Sequence, residues 1–96
     1  MLMDERVRAK RQHILRVAAR HGARNVRLFG SAARGESTAE SDLDFLVAVE
    51  PDHSPWFPAG LVAELEALLG CDVDVVTEDG LHWYIRDRVL EEAVPL

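Results

Sequence analysis

The chain has 96 residues, of which 48% are hydrophobic and 29% charged, with a net charge of −6 and an isoelectric point near 5.1. This length and composition exclude a disordered chain and indicate one globular domain over residues 1–96. The acidic balance disfavours direct binding of nucleic acid. Because the sequence has no leader-like start, no membrane-length apolar run and a single cysteine, Cys71, we expect no membrane association and a reducing, cytoplasmic location.

The charge is unevenly distributed along the chain. Residues 1–27 carry eight of the eleven Lys and Arg side chains against two acids, a net +6, whereas residues 28–96 carry a net −12. We interpret the basic start as a helix with a solvated outer face, and a surface for a partner or a polyphosphate is the alternative.

The spacing of apolar residues and turn formers predicts the order α-β-β-α-β-α. The chain-order prediction is a helix over 4–21, strands over 25–29 and 43–49, a proline-rich loop over 51–60, a helix over 61–69, a strand over 71–77 and a closing helix over 81–93. We expect Asp79 to cap the closing helix and Pro95 to end it.

This order indicates an α/β (α+β) fold with a small mixed β-sheet flanked by helices. The first two strands should be antiparallel neighbours, because only a short connection separates them. The third strand follows a helical crossover, so it should run parallel to the second.

Four aromatic residues could serve either the core or a binding surface. Trp56 and Phe57 lie between prolines and are expected to pack on the core, with a contact for a partner as the alternative. Trp83 and Tyr84 are expected to be core and edge residues of the closing helix rather than a pair that stacks on adenine.

Asp42 and Asp44 lie two residues apart at the start of the second predicted strand, so their side chains point to one face. Two ionised carboxylates about 6 Å apart repel by roughly 2–3 kcal/mol at an effective dielectric near 20. A divalent cation between them reverses this cost, and Mg²⁺ usually takes one or two carboxylates together with substrate phosphates. The interleaved Leu43 and Phe45 exclude an EF-hand calcium loop.

A third carboxylate is available on the third predicted strand, where Asp72 and Asp74 have the same parity. Asp74 lies inside the strand, where a carboxylate is costly unless it is liganded or paired. We therefore favour Asp74, although spacing alone leaves Asp72 open. The three acids predict a site for a metal-bound polyphosphate, in which two Mg²⁺ ions would align the attacking and leaving oxygens.

Gly30 and Ser31 end the first predicted strand. Glycine lets the backbone approach a ligand closely, and a short helix that begins at Ser31 would offer N–H groups to an anion. The segment lacks the GK[ST] sequence of a Walker A loop.

The segment GSAARGESTAESDLDFLV, residues 30–47, resembles the GSxxxG…SDxD signature of DNA-polymerase-β-like nucleotidyltransferases. It is similar above all to the minimal nucleotidyltransferases, the antitoxins of HEPN/minimal-nucleotidyltransferase pairs. VDVV at residues 73–76 and RDRVLEEAVPL at residues 86–96 also resemble that subfamily. The resemblance covers residues 26–96 and implies the nucleotidyltransferase fold.

The resemblance also implies roles for individual residues. Asp42 and Asp44 correspond to paired metal ligands, and Asp74 corresponds to a third carboxylate that completes the metal site and can help to deprotonate the acceptor. Gly30 and Ser31 correspond to the phosphate-binding turn.

Arg34 falls in the loop of the same motif. We place it near the nucleotide phosphates, with a solvent-exposed Arg34 as the alternative.

The activity implied by the resemblance is transfer of a nucleoside monophosphate from a nucleoside triphosphate to a hydroxyl, with release of pyrophosphate. In the antitoxin subfamily the acceptor resembles a tyrosine on a partner HEPN ribonuclease toxin, which AMP then blocks. We therefore expect an enzyme that uses Mg²⁺ and ATP and has a toxin partner. Two alternatives are an antitoxin that acts by binding alone and a nucleotidyltransferase that modifies a small molecule such as an antibiotic.

Overall fold

The computed structural model describes residues 4–53 and 55–96. Positions 1–3, and position 54 within the predicted loop, lie outside this description. The elements, in chain order, are α1 (Glu5–Ala9), α2 (Arg11–Arg20), β1 (Ala23–Phe29), a 3₁₀ turn (Gly30–Ala32), β2 (Leu43–Val49), α3 (Ala59–Leu69), β3 (Val73–Thr77), a second 3₁₀ turn (Glu78–Gly80), α4 (Trp83–Glu92) and β4 (Val94–Pro95).

The strands form one mixed sheet in the order β3-β2-β1-β4. β1 is antiparallel to β2, and β2 is parallel to β3, so both predicted strand directions are confirmed. β4 was not predicted: Val94 and Pro95 pair with Leu28 and Arg27 at the edge of the sheet. Proline is tolerated there because an edge strand leaves some N–H positions unpaired.

Two predicted helices differ in detail from the structure. The helix predicted over residues 4–21 is divided at Lys10, whose φ of −118° and ψ of 20° interrupt it. The closing helix begins at Trp83, and the prediction that Asp79 caps it was wrong. Asp79 lies instead in the second 3₁₀ turn, which Thr77 closes by accepting a hydrogen bond from the Gly80 N–H.

The core lies on one face of the sheet, under α2 and α3. Leu43, Phe45 and Val47 of β2 are fully buried there, as the alternation of apolar residues predicted. Leu61 and Leu65 of α3 belong to the same cluster. Because these helices cover one face of β2, Asp44 faces the opposite side and is only half-buried.

The exposed aromatic residues correct one expectation. Trp56 is 77%, Trp83 81% and Tyr84 67% exposed, so core packing of the tryptophans was wrong, whereas Phe57 does pack against the core. No residue of α4 is buried, so the aromatic side chains predicted to be core and edge residues of this helix face solvent instead. None of the helices described within residues 4–53 and 55–96 could span a membrane.

Candidate active site

The parallel pairing of β2 and β3 brings two carboxylates side by side. The register places Asp44 next to Asp74 and Leu43 next to Val73. Directly paired residues on neighbouring strands point to the same face, so Asp44 and Asp74 share the face opposite the core. Asp42 is exposed and lies two residues before Asp44, which adds a third carboxylate at this corner of the sheet.

The register also separates Asp74 from Asp72. Asp72 precedes β3, and its backbone carbonyl accepts a hydrogen bond from the Leu43 N–H at 3.0 Å. Its side chain is exposed and is not among the groups that perturb Asp44. Asp74 is therefore the acid across from Asp44, and its catalytic role stays a prediction.

Asp44 is the electrostatic centre of the cluster. Burial raises the pKa of the Asp44 carboxyl, and the negative charges of Asp74 and Asp42 raise it further. Each of these effects penalises the ionised carboxylate, and a nearby cation would reverse the penalty.

The donor set fits a hard cation. Across the described part of the chain, no group of three or more His, Cys, Asp or Glu side chains forms a metal site. Mg²⁺ does not need one, because it keeps waters and phosphate oxygens among its ligands and takes only one or two carboxylates from the protein. Asp42 and Asp44, with Asp74 beside them, would supply those carboxylates.

Gly30 brings the turn against Asp44. Gly30 has φ +74°, and a Cβ at this position would lie 2.8 Å from Asp44 Oδ2. The preceding residue, Phe29, pairs directly with Asp44 across β1 and β2. The left-handed backbone favours glycine at this position, and a larger residue would displace the Asp44 carboxylate.

The turn after Gly30 uses its carbonyl groups internally. The Ala33 N–H donates to the Gly30 carbonyl at 3.1 Å, and the Glu36 N–H donates to the Ser31 carbonyl at 3.0 Å. The first N–H groups of a 3₁₀ segment have no acceptor within that segment. Ser31, half-buried in this turn, is thus placed where a phosphate could be received.

Arg34 has carboxylate partners. Its Nε donates to Glu36 Oε1 at 2.8 Å, and its Nη1 lies 3.8 Å from Glu92 Oε2 on α4. The hydrogen bond to Glu36 is the largest of the effects that raise the pKa of Arg34. A contact with nucleotide phosphates would require the guanidinium to exchange these carboxylates for phosphate oxygens, so that role stays a prediction.

Asp4 and Arg6 lie near the site and were not predicted from the sequence. Asp4 and Arg6 contact the loop that joins Gly30–Ala32 to Asp42. An acid before an apolar stripe signals a helix cap, but nothing in the sequence indicates a contact across more than thirty residues.

Comparison with known proteins agrees with this geometry. The nucleotidyltransferase domain family matches residues 10–96. Protein adenylyltransferase MntA of Thermococcus cleftensis is 40% identical over 82 residues, which cover 85% of this chain and 83% of that protein. A solved minimal nucleotidyltransferase is 52% identical, with a TM-score of 0.85 and coverage of 98% of this chain and 97% of that one.

A toxin–antitoxin complex crystallised with AMP-PNP contains the same fold. Its TM-score is 0.74 at 21% identity, with 88% of this chain and 69% of that chain covered. The family match and the two closer relatives thus confirm the fold and the enzyme class that the sequence predicted. The chain belongs to the nucleotidyltransferase family and is one of its minimal members.

Proposed function

We propose that this protein is an Mg²⁺-dependent adenylyltransferase that transfers AMP from ATP to a tyrosine hydroxyl of a partner HEPN ribonuclease toxin and so neutralises it. The observation that carries the proposal is the placing of Asp44 between Asp74 and the Gly30 turn. The name of the Thermococcus relative supports AMP as the transferred group. The complex with AMP-PNP supports a toxin partner and a nucleotide substrate, and the cytoplasmic location stays a prediction.

The proposed transfer makes one bond and breaks one. The tyrosine oxygen attacks the α-phosphorus of ATP, the bond from that phosphorus to the oxygen bridging to the β-phosphate breaks, and pyrophosphate leaves. Asp74, which is exposed near the start of β3, would take the hydroxyl proton.

The remaining site residues hold the reactants. Asp42 and Asp44 would bind two Mg²⁺ ions, which when bound neutralise phosphate charge and align the attacking and leaving oxygens. Gly30 and Ser31 would hold the phosphates against these carboxylates. Catalysis then depends on positioning and charge neutralisation by groups fixed in advance.

The test is transfer of AMP, labelled at the α-phosphate of ATP, to the purified toxin in the presence of Mg²⁺. We expect an Asp42→Asn/Asp44→Asn double variant to lose activity by at least about 100-fold, because both metal ligands lose their charge. The matched control is Asp79→Asn, an exposed acid outside the carboxylate cluster, which should keep full activity. Mass spectrometry should locate the adduct on a tyrosine, and full activity of the double variant would overturn the proposal.

Neutralisation by binding alone is a second candidate function, favoured by α4. This helix has no buried side chain and exposes Trp83 and Tyr84, and exposed large aromatic residues mark protein-interaction surfaces. The same double variant separates the two functions in cells that produce the toxin. Protection without transfer supports binding, whereas loss of protection with the complex intact supports catalysis.

A further inference from the structure

Asp4, at the start of α1, is a buried acid whose carboxylate accepts several hydrogen bonds. Asp4 is 8% exposed. It accepts hydrogen bonds from the Arg6 backbone N–H at 2.8 Å and from Arg6 Nε and Nη2 at 3.0 and 2.9 Å. The Ser37 hydroxyl, from the loop before β2, also donates to Asp4 Oδ2. We call Asp4, Arg6 and Ser37 the clasp.

Arg6 extends the clasp onto the backbone of the loop. Its Nη1 donates to the Ala39 carbonyl and its Nη2 to the Thr38 carbonyl, each at 2.9 Å. The planar fork of arginine can donate to a carboxylate and to two carbonyls at once, which the single ammonium of lysine cannot reproduce in the same geometry.

The clasp contacts both halves of the nucleotidyltransferase motif. The Asp4 backbone N–H donates to the carbonyl of Ala32, the last residue of the 3₁₀ turn, at 3.1 Å. The loop contacts of Arg6 end three residues before Asp42. One ion pair therefore connects the phosphate turn to the segment that leads into the metal carboxylates.

The loop at residues 37–39 has few contacts other than those with the clasp. Within the described residues, the hydrogen bonds that lead from residues 37–39 to elements outside the loop go to Asp4 and Arg6. The others are local, such as the Ser41 N–H to the Thr38 carbonyl at 3.1 Å. Thr38, Ala39 and Glu40 are exposed, so packing does not fix the loop either.

We propose that Asp4 and Arg6 are positioning residues of the nucleotidyltransferase site, holding residues 37–39 so that Asp42 and Asp44 keep their place against the Gly30 turn. This inference rests on the proposed transferase activity. A site that acts by positioning is sensitive to small displacements, and an error of about 1 Å can cost about 100-fold in rate. The clasp thus makes the basic N-terminal helix part of the active-site framework.

The test uses variants that keep the helix and change the clasp. Arg6→Lys keeps the charge and loses the fork, and Asp4→Asn keeps a helix-capping side chain and loses the carboxylate. Arg8→Lys is the matched control, because Arg8 lies on the same helix and its ion pair, with Glu5 at 3.5 Å, stays within α1. Circular dichroism at the assay temperature gives the folded fraction of each protein.

Two readouts distinguish positioning from folding. Calorimetry measures the affinity for a non-hydrolysable ATP analogue with Mg²⁺, and kinetics give kcat and the half-saturating Mg²⁺ concentration. We expect both clasp variants to weaken affinity and to raise the half-saturating Mg²⁺ concentration by about 10-fold, with a lower kcat. Arg8→Lys should match the parent protein.

Each outcome decides the proposal. Activity that falls only in proportion to the folded fraction, at unchanged Mg²⁺ half-saturation and analogue affinity, would overturn it. If Asp4→Asn or Arg6→Lys does not fold, Ser37→Ala, which removes only the loop end of the clasp, should raise the Mg²⁺ half-saturation by a smaller factor, and no change would count against it. A parent protein that binds the analogue but transfers nothing would contradict the proposed function, while clasp-dependent affinity would still support the clasp.

Discussion

Gly30 shows how much of this site depends on the conformation of single residues. Its φ of +74° turns the chain sharply at the end of β1, and the turn then lies against Asp44 Oδ2. Asp44 in turn lies beside Asp74 because β2 and β3 are parallel. Asp44, Asp74 and the Gly30 turn therefore lie together at one corner of the sheet.

Gly30→Ala should lose activity because the added methyl group displaces the Asp44 carboxylate. A left-handed alanine costs about 1–2 kcal/mol, and the added Cβ would also lie 2.8 Å from Asp44 Oδ2. Gly70→Ala is the matched control, because Gly70 has φ +71° and a Cβ there would have no atom within 4 Å. Urea unfolding should show a loss for both variants, whereas AMP transfer should fall only for Gly30→Ala; equal activity of the two would contradict this interpretation.

Asp74→Asn and Asp72→Asn should differ sharply in activity. The register places Asp74 beside Asp44, so removing its charge should lower AMP transfer by about 100-fold, the scale of a lost acid–base group. Asp72 lies outside β3 with an exposed side chain, and its amide variant should stay within about threefold of the parent, as for a surface change away from the chemistry. Initial rates at saturating ATP and Mg²⁺ are the measurement, and the reverse order would show that Asp72 is the third carboxylate.

At the scale of elements, the short helix α1 depends on its surroundings. Five residues are too few for a helix to be stable alone, and α1 spans only Glu5–Ala9. Val7 and Ile14 are both fully buried, so the apolar stripe continues from α1 into the next helix. Because the stripe is continuous, the periodicity of apolar residues could not reveal the break at Lys10. Asp4 is the N-cap of α1, and its hydrogen bond with the Arg6 N–H fixes where the helix begins.

The stability of α1 should depend on pH through Asp4. The pKa of Asp4 is lowered from 3.8 to about 2. The hydrogen bond from the Arg6 side chain is the largest cause, the hydrogen bond from Ser37 adds to it, and burial acts in the opposite direction. Because the folded-state pKa lies below the unfolded one, this stabilisation is present above about pH 4 and is lost as the pH falls towards about 2.

With the Asp4 side chain 6% exposed, a shift of this size corresponds to about 2 kcal/mol. Asp4→Asn should therefore lower the free energy of unfolding by about 2 kcal/mol at pH 7 and by little near pH 2. Urea unfolding across this range is the measurement, with Glu5→Gln, an exposed acid on the same helix, as the control. A difference between Asp4→Asn and the parent that does not change with pH would rule out the ion pair as its cause.

At the scale of the whole molecule, the sequence predicted what depends on local pattern and missed what depends on tertiary contacts. Alternation over residues 43–49 placed Phe45 in the core and Asp44 on the opposite face, as the structure has them. The pairing of Val94–Pro95 and the exposure of Trp83 were missed, because a two-residue strand has no period and exposure depends on which partner surface exists. The choice of Asp74 over Asp72 needed the register, which spacing within one strand does not fix.

Binding of Mg²⁺ and nucleotide should stabilise the whole molecule only when both are present. A non-hydrolysable ATP analogue alone adds negative charge beside Asp42, Asp44 and Asp74, and Mg²⁺ alone lacks the phosphate ligands that complete its shell. At about 100 times the dissociation constant, a ligand that binds only the folded state adds about 2.7 kcal/mol. For a chain of this length the melting temperature should then rise by roughly 10 °C or more.

Thermal unfolding of four samples, with neither ligand, with each alone and with both, measures this coupling. The Asp42→Asn/Asp44→Asn double variant should lose most of the joint gain, since the cation is then left with phosphate oxygens and no paired carboxylates from the protein. Asp79→Asn should keep the joint gain in full, because Asp79 follows the end of β3 whereas Asp74 lies near its start. An equal rise for the parent and the double variant would place the nucleotide elsewhere on the molecule, since the paired carboxylates would then contribute nothing to its binding.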